Sequence, residues 1–168
     1  KHITMNFGEA IKSVFSKYAT FSGRARRSEF WYFYLFYILV AFGLSFLSIW
    51  IPFAKYLYTL FGLGVFLPYT AVTVRRLHDI GKSGWILLIF MVISLLISML
   101  LFLFIDIITP TNGDNSMTVF IVYGILVFIV LALVIWLIVW LAKDSQPGEN
   151  QWGPNPKEQP SAEPQTNI

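Results

Sequence analysis

A chain of 168 residues that is 57% hydrophobic, 18% aromatic and only 12% charged holds half the charge of an ordinary soluble domain, about 25%. It also carries more apolar surface than a soluble core of this size can bury. The absence of cysteine excludes a disulfide framework, a thiolate zinc site and a cysteine nucleophile together.

Charged residues bound four long gaps, from Glu29 to Lys55, Lys55 to Arg75, Lys82 to Asp106 and Asp114 to Lys143. Each meets or approaches the ~20 apolar residues that cross ~30 Å of hydrocarbon. The pattern predicts an all-α, polytopic membrane protein with four spans at about 30–51, 56–74, 85–105 and 119–141 inside a transmembrane domain, 21–142. An amphipathic interfacial helix (5–20) precedes that domain, and a Pro-rich, extended or disordered tail (143–168) follows it. Residues 1–4 read as a cloning remnant. Trp50, Ile51 and Pro52 follow the first span in place of a small-residue cleavage pattern, so no signal peptide is expected there.

With four spans both termini share a side. Leaving out Lys1, ten Lys and Arg residues fall on that side, and the opposite loops hold Lys55 alone. By the positive-inside rule both termini and the central hairpin face the cytoplasm. Membrane topology thus accounts for the formal charge of +3, and no nucleic-acid partner is needed to explain it.

In chain order, Asn6 to Tyr18 puts Phe7, Ala10, Ile11, Val14, Phe15 and Tyr18 on one helical stripe, with Glu9, Lys12, Ser13, Ser16 and Lys17 opposite. Asn6 and Glu9 have the spacing of a capping box. This helix is expected to lie in the membrane interface or to pack against the mouth of the bundle. A turn containing Arg24, Arg26, Arg27 and Glu29 then leads into the first span. Trp31 and its aromatic neighbours there suit headgroup depth.

The second span is interrupted by Gly62, Gly64 and Pro68. Proline removes its own donor and frees the carbonyl of Gly64. A freed carbonyl can line an ion site in a transporter; more often a neighbouring hydroxyl or a local helix adjustment takes it up. On the third span Ser94 and Ser98 share a face suited to close helix packing. An outer loop, 106–118, is rich in turn formers. Trp136 and Trp140 sit near the end of the fourth span. Beyond it, five of the eight prolines fall in 143–168, a composition that cannot bury much apolar area. Trp152 interrupts that polar tail and suggests a docking point on the central hairpin.

The hairpin itself, Val74 to Trp85, concentrates the polar chemistry of the chain's middle. A second helix continued to about Ile80 places Arg75, His78 and Asp79 on one face, with Gly81 as a left-handed cap and Ser83 as the N-cap of the next helix. Arg75, Arg76, Lys82 and the exposed helix donors form a candidate anion site, for phospholipid headgroups first. The alternative is that Asp79 pairs with nearby arginines and the hairpin only fixes two helices. Gly81-Lys82-Ser83 is not a nucleotide loop, because Arg76 stands where that motif needs glycine and a helix precedes it instead of a strand. His78 and Asp79 could shuttle protons, yet neighbours on a helix point about 100° apart. The sequence contains no metal cluster, nucleophile–base pair or paired carboxylates, so no cofactor and no enzymatic activity are expected.

Three blocks are similar to known sequences: Phe21-Ser22-Gly23-Arg24-Ala25-Arg26-Arg27-Ser28-Glu29-Phe30-Trp31, Arg75-Arg76-Leu77-His78-Asp79-Ile80-Gly81-Lys82-Ser83-Gly84-Trp85, and Gly148-Glu149-Asn150-Gln151-Trp152-Gly153-Pro154-Asn155-Pro156. In this order they resemble the signature blocks of domain-of-unknown-function family 805, small bacterial inner-membrane proteins. Trp152 stands where many members carry tyrosine. The resemblance spans about Met5 to Pro156 and implies a bacterial inner-membrane location and a four-helix membrane domain, with no activity attached. All three blocks fall on the expected cytoplasmic side, so they are expected to meet there, Trp152 covering a mouth formed by Arg24, Arg27, Arg75, His78 and Asp79.

The combined expectation is a non-enzymatic inner-membrane protein whose candidate site comprises Arg24, Arg26, Arg27, Glu29, Trp31, Arg75, Arg76, His78, Asp79, Gly81, Lys82, Ser83, Trp85 and Trp152. Anionic membrane lipid is the expected ligand. A membrane-protein partner or a second copy of the chain is the other expected binder. A small transporter or channel, and then a lipid-modifying enzyme, are the alternatives.

Overall fold

The computed structural model describes residues 5–108 and 116–158. Five helices follow in order: α1 (Phe7–Ser16), α2 (Arg27–Trp50), α3 (Ala54–Asp79), α4 (Trp85–Ile108) and α5 (Ser116–Ala142). Among the described residues, the last four are long and apolar enough to cross a membrane. Large side chains such as Phe42, Ile49, Leu95 and Phe128 remain exposed along them, as lipid-facing surfaces require. The chain falls into two compact units, one made of residues 1–84 and 143–168, the other of 85–142. The outer-loop residues Pro110, Asn112, Gly113 and Asp114, and the tail beyond 158, lie outside the described residues.

In the first unit α1 starts at a complete capping box. Asn6 Oδ1 accepts from the Glu9 amide at 2.8 Å, and Glu9 Oε2 accepts from the Asn6 amide at 2.9 Å. The apolar stripe of α1 packs on protein: Ala10 and Val14 are fully buried, Phe7 meets Tyr32 edge-on, and Phe15 meets Phe33 and Phe36 in the same way. The helix thus packs its stripe on α2 and α3 of the same unit.

Helix α2 begins at Arg27, so Glu29 lies in its first turn. The α2–α3 contact is largely aromatic, with Tyr37 stacked on Phe61 at 5.9 Å and Tyr69 within ring contact of Phe30, Tyr34 and Tyr37. Pro68 sits inside α3 and is buried. The carbonyl it frees is not left open, because the Tyr18 hydroxyl donates to Gly64 O. A hydroxyl from outside the helix thus satisfies the backbone, and the broken second span provides no vacant ion ligand at that carbonyl.

Helix α3 stops at Asp79 in a Schellman turn. The Lys82 amide donates to Leu77 O at 2.9 Å and the Gly81 amide to His78 O at 3.1 Å, with Gly81 at φ +73°. This is the left-handed position glycine adopts without a Cβ penalty. Any Cβ at Gly81 would also come within 2.6 Å of Gln146 Oε1, and one at Gly84 within 2.6 Å of Val74 Cγ1, so the hairpin is closed tightly from both sides.

In the second unit α4 and α5 pack together, and Trp136 and Trp140 are in ring contact at 4.3 Å. The serine pair does not bond across helices. Ser98 Oγ donates to Leu95 O of its own helix at 2.9 Å, and Ser94 Oγ is buried without a partner among the described residues.

Candidate functional site

The polar chemistry of the first unit collects at the end of α3, where four segments converge: α1, the turn before α2, the last turn of α3, and the tail. Burial here demands compensation, because an isolated charge taken out of water costs many kcal/mol unless it is paired. Two ion-pair groups supply it. Arg75 Nη1 meets Glu29 Oε1 at 3.0 Å, with side chains 1% and 4% exposed. Arg24 Nε meets Asp79 Oδ1 at 3.0 Å, and Arg76 Nη1 meets Asp79 Oδ2. Ser145 Oγ donates to the same Oδ2 at 2.6 Å. Three buried guanidinium groups therefore face two buried carboxylates, and the Asp144 carboxylate at the rim acts on Arg76 as well.

Arg24 is the organiser of the tail. Besides its bond to Asp79 it donates from Nη2 to Gln146 O at 2.6 Å and from Nη1 to Gly148 O at 2.7 Å and Gly153 O at 3.3 Å. Arg76 Nη2 donates to Lys143 O, and Arg26 Nε donates to Pro156 O at 2.6 Å. The Gln146 amide returns a bond to Asp79 O at 2.9 Å, and Asn150 Nδ2 donates to His78 O at 3.0 Å. Among its described residues the tail has no regular structure beyond a single bridge between Asn150 and Gly153. Through residue 158 it is nonetheless docked, because arginine donors satisfy backbone carbonyls that composition alone leaves to water. Trp152 lies flat on His78, ring centroids 4.5 Å apart and planes within 8°. The other face of this arrangement is fixed by His78 Nδ1, 3.2 Å from Gly23 O; facing a carbonyl, that nitrogen is the donor.

At the rim, Asp144 bonds Lys157 and lies 3.9 Å from Arg27. The Lys157 ammonium, then the Ser145 amide, hold the Asp144 carboxyl below its ordinary value. Both the carboxylate and Arg27 are well exposed, so these contacts fasten the tail's edge only weakly.

Beside the ion pairs lies a cavity of about 480 Å³. Helix α1 contributes Glu9, Ser13 and Lys17, α2 contributes Glu29, and α3 contributes Arg75. Trp152, Pro154 and Pro156 form its tail-side wall. Arg75 is the anomaly in it. Its Nη1 is paired, but Nε and Nη2 are buried with no hydrogen-bond partner among the described residues, a state that costs roughly 1–3 kcal/mol per unsatisfied group.

Of the sequence-selected residues, Arg24, Arg26, Glu29, Arg75 and Trp152 border this cavity, and Arg76, His78 and Asp79 form the ionic and stacking layer behind it. Arg75 and Asp79, expected on one face, serve different partners. Arg27 points outward to Asp144. Trp31 packs on Phe30 and Tyr34. Gly81, Lys82 and Ser83 are exposed turn residues and Trp85 is 70% exposed; none of these four borders the cavity. Sequence reasoning missed Ser13, whose hydroxyl donates to Glu29 Oε1 at 3.1 Å, and Ser145, Gln146 and Asn150 of the tail. The polar face of α1 was the available signal for Ser13, and the third family-like block for Asn150; Ser145 and Gln146 carried none.

This architecture defines a class: a small polytopic membrane protein with a buried arginine–carboxylate cluster closed by its own tail. The chain belongs to the family described as "Protein of unknown function (DUF805)", whose signature matches residues 18–154. It is similar to inner membrane protein YhaH of Escherichia coli strain K12, 40% identical over 84 residues that cover 47% of this chain and 69% of the relative. It is similar also to inner membrane protein YhaI of the same strain, 42% identical over 80 residues, 46% of this chain and 68% of the relative. No solved structure matches it significantly.

Proposed function

We propose that this protein is an inner-membrane protein that binds the phosphate of a membrane lipid headgroup in the cavity beside Arg75, on the cytoplasmic face. The observation that carries the proposal is the buried Arg75 guanidinium with two unpartnered nitrogens. A phosphodiester brings one negative charge and several acceptor oxygens, which is the complement such a site lacks. Lys17 on the cavity wall adds a second cation. The cytoplasmic orientation is supported by the ten-to-one distribution of Lys and Arg between the two sides, and the inner membrane by the named relatives.

Native mass spectrometry of the detergent-extracted protein tests the reading. Retained phospholipid is expected on the wild type and on Arg27→Gln, whose position is at the exposed rim, and is expected to disappear on Arg75→Gln. Equal retention by all three proteins refutes the assignment to Arg75. Orientation is checked by introducing single cysteines, Lys55→Cys and Lys157→Cys, into this cysteine-free chain. Only the second should be shielded from an impermeant reagent in intact cells.

A further inference from the structure

The cavity that contains Arg75 also contains carboxylates. Glu29 accepts bonds from Ser13 and Arg75 on Oε1 alone, and its other oxygen takes no partner among the described residues. Glu9 borders the same space from α1, and Trp152 supplies an aromatic wall. A site that served phosphate alone would place a buried carboxylate elsewhere, since a phosphate drawn to Arg75 must approach Glu29, 3.0 Å from Arg75 Nη1, and is repelled by it. An ammonium carried on the same ligand turns that repulsion into attraction.

From this we propose, resting on the phosphate reading above, that the ligand is bipolar: a phosphodiester joined by a short chain to an ammonium group. Its dipole lies antiparallel to the Arg75–Glu29 pair. The phosphate takes the unpartnered donors of Arg75 together with Lys17. The ammonium takes the open oxygen of Glu29, with Glu9 near it and the indole of Trp152 as a cation–π surface. An ethanolamine-type headgroup has this chemistry, either on a membrane lipid or as the free glycerophosphoester. A glycerol-type headgroup has the phosphate and lacks the amine.

The test presents the full chain in detergent with an equimolar mixture of phosphatidylethanolamine and phosphatidylglycerol and reads the retained lipids by native mass spectrometry. The wild type is expected to enrich the amine-bearing lipid about fivefold, the size of one solvent-accessible cation–π contact. Glu29→Gln is expected to abolish the enrichment while phosphatidylglycerol binds at least as well as before, because Arg75 has lost its counter-charge. A separate arm adds water-soluble glycerophosphoethanolamine. Its displacement of the lipid supports the proposal with the headgroup alone as ligand, and enrichment that withstands it supports the proposal with the intact lipid as ligand.

Equal retention of both lipids by the wild type, both lost on Arg75→Gln, overturns the amine preference and leaves the phosphate site standing. Retention of neither overturns both readings. Should Glu29→Gln fail to fold, Glu9→Gln carries the test, since Glu9 is exposed and glutamine keeps the capping box. An enrichment unchanged in that variant overturns the proposal.

Discussion

Arg24→Ala removes the side chain that ties the tail to the helical end. In the structure Arg24 makes the 3.0 Å ion pair to Asp79 and bonds at 2.6–3.3 Å to the carbonyls of Gln146, Gly148 and Gly153. Breaking a buried ion pair costs about 3–5 kcal/mol. Here the lower end applies, because Asp79 keeps Arg76 and Ser145 as partners. The three tail carbonyls lose their donors as well, and the cheapest remedy is for the tail to leave and let water satisfy them. Each of these three tail bonds is worth about 1 kcal/mol, so the free energy of tail opening should fall by about 3 kcal/mol, or roughly 100-fold in the opening equilibrium at about 1.4 kcal/mol per decade. Hydrogen exchange followed at the amides of Gln146, Asn150 and Gly153, all bonded in the docked tail, should quicken by about that factor while amides inside α3 hold their rate. Arg24→Lys, which keeps the charge but cannot span several carbonyls, should fall between the two. Unchanged exchange in the tail, or equal acceleration throughout α3, would refute the reasoning.

Three further outcomes follow from local geometry. Gly81→Ala, with φ at +73° and Gln146 Oε1 2.6 Å from the new Cβ, should destabilise the first unit by roughly 1–2 kcal/mol, measured by thermal unfolding in detergent; no loss would contradict the tight hairpin. Tyr18→Phe leaves Gly64 O unbonded and should cost about 1–3 kcal/mol, whereas adding Pro68→Ala, which restores the missing amide donor, should recover most of it. Asp144 has its carboxyl held below the ordinary range by Lys157. Its contribution is therefore present above the unfolded value of about 3.9 and lost as pH falls through the lower folded value. A fluorescent label on a cysteine at the exposed tail position 151, which leaves Lys157 in place, should gain mobility only in that acidic window, and a mobility change centred near neutral pH would assign the effect to another group.

How much of this was legible depends on where the partners lie. The four spans follow from charge-free gaps, and the end of α3 follows from Gly81, because both signals are local and chemically specific. The contact of Trp152 with His78 also follows from the sequence, since a large aromatic in a polar tail needs a surface to cover. Glu29 is different. In the chain it looks like one more charge flanking a span, and only the start of α2 at Arg27 turns it inward toward Arg75. The Arg24 network is the least visible part. Its acceptors are backbone carbonyls 122 to 129 residues away, and a carbonyl carries no residue signature. For the same reason the tail's composition predicts an extended or disordered chain, as its described residues are, but does not show that arginine donors hold it. Tyr18 shows an intermediate case: Pro68 announces a freed carbonyl, but not which hydroxyl takes it.

The most direct measurement is the side-chain Nε–H resonance of Arg75, followed by nuclear magnetic resonance in a phosphate-free detergent while phospholipid is titrated in. A saturable shift of Arg75 at one lipid per chain, absent with a glycolipid lacking phosphate, is the predicted result. An Arg75 signal that stays fixed while the exposed Arg27 shifts would contradict the assignment of the cavity as a phosphate site.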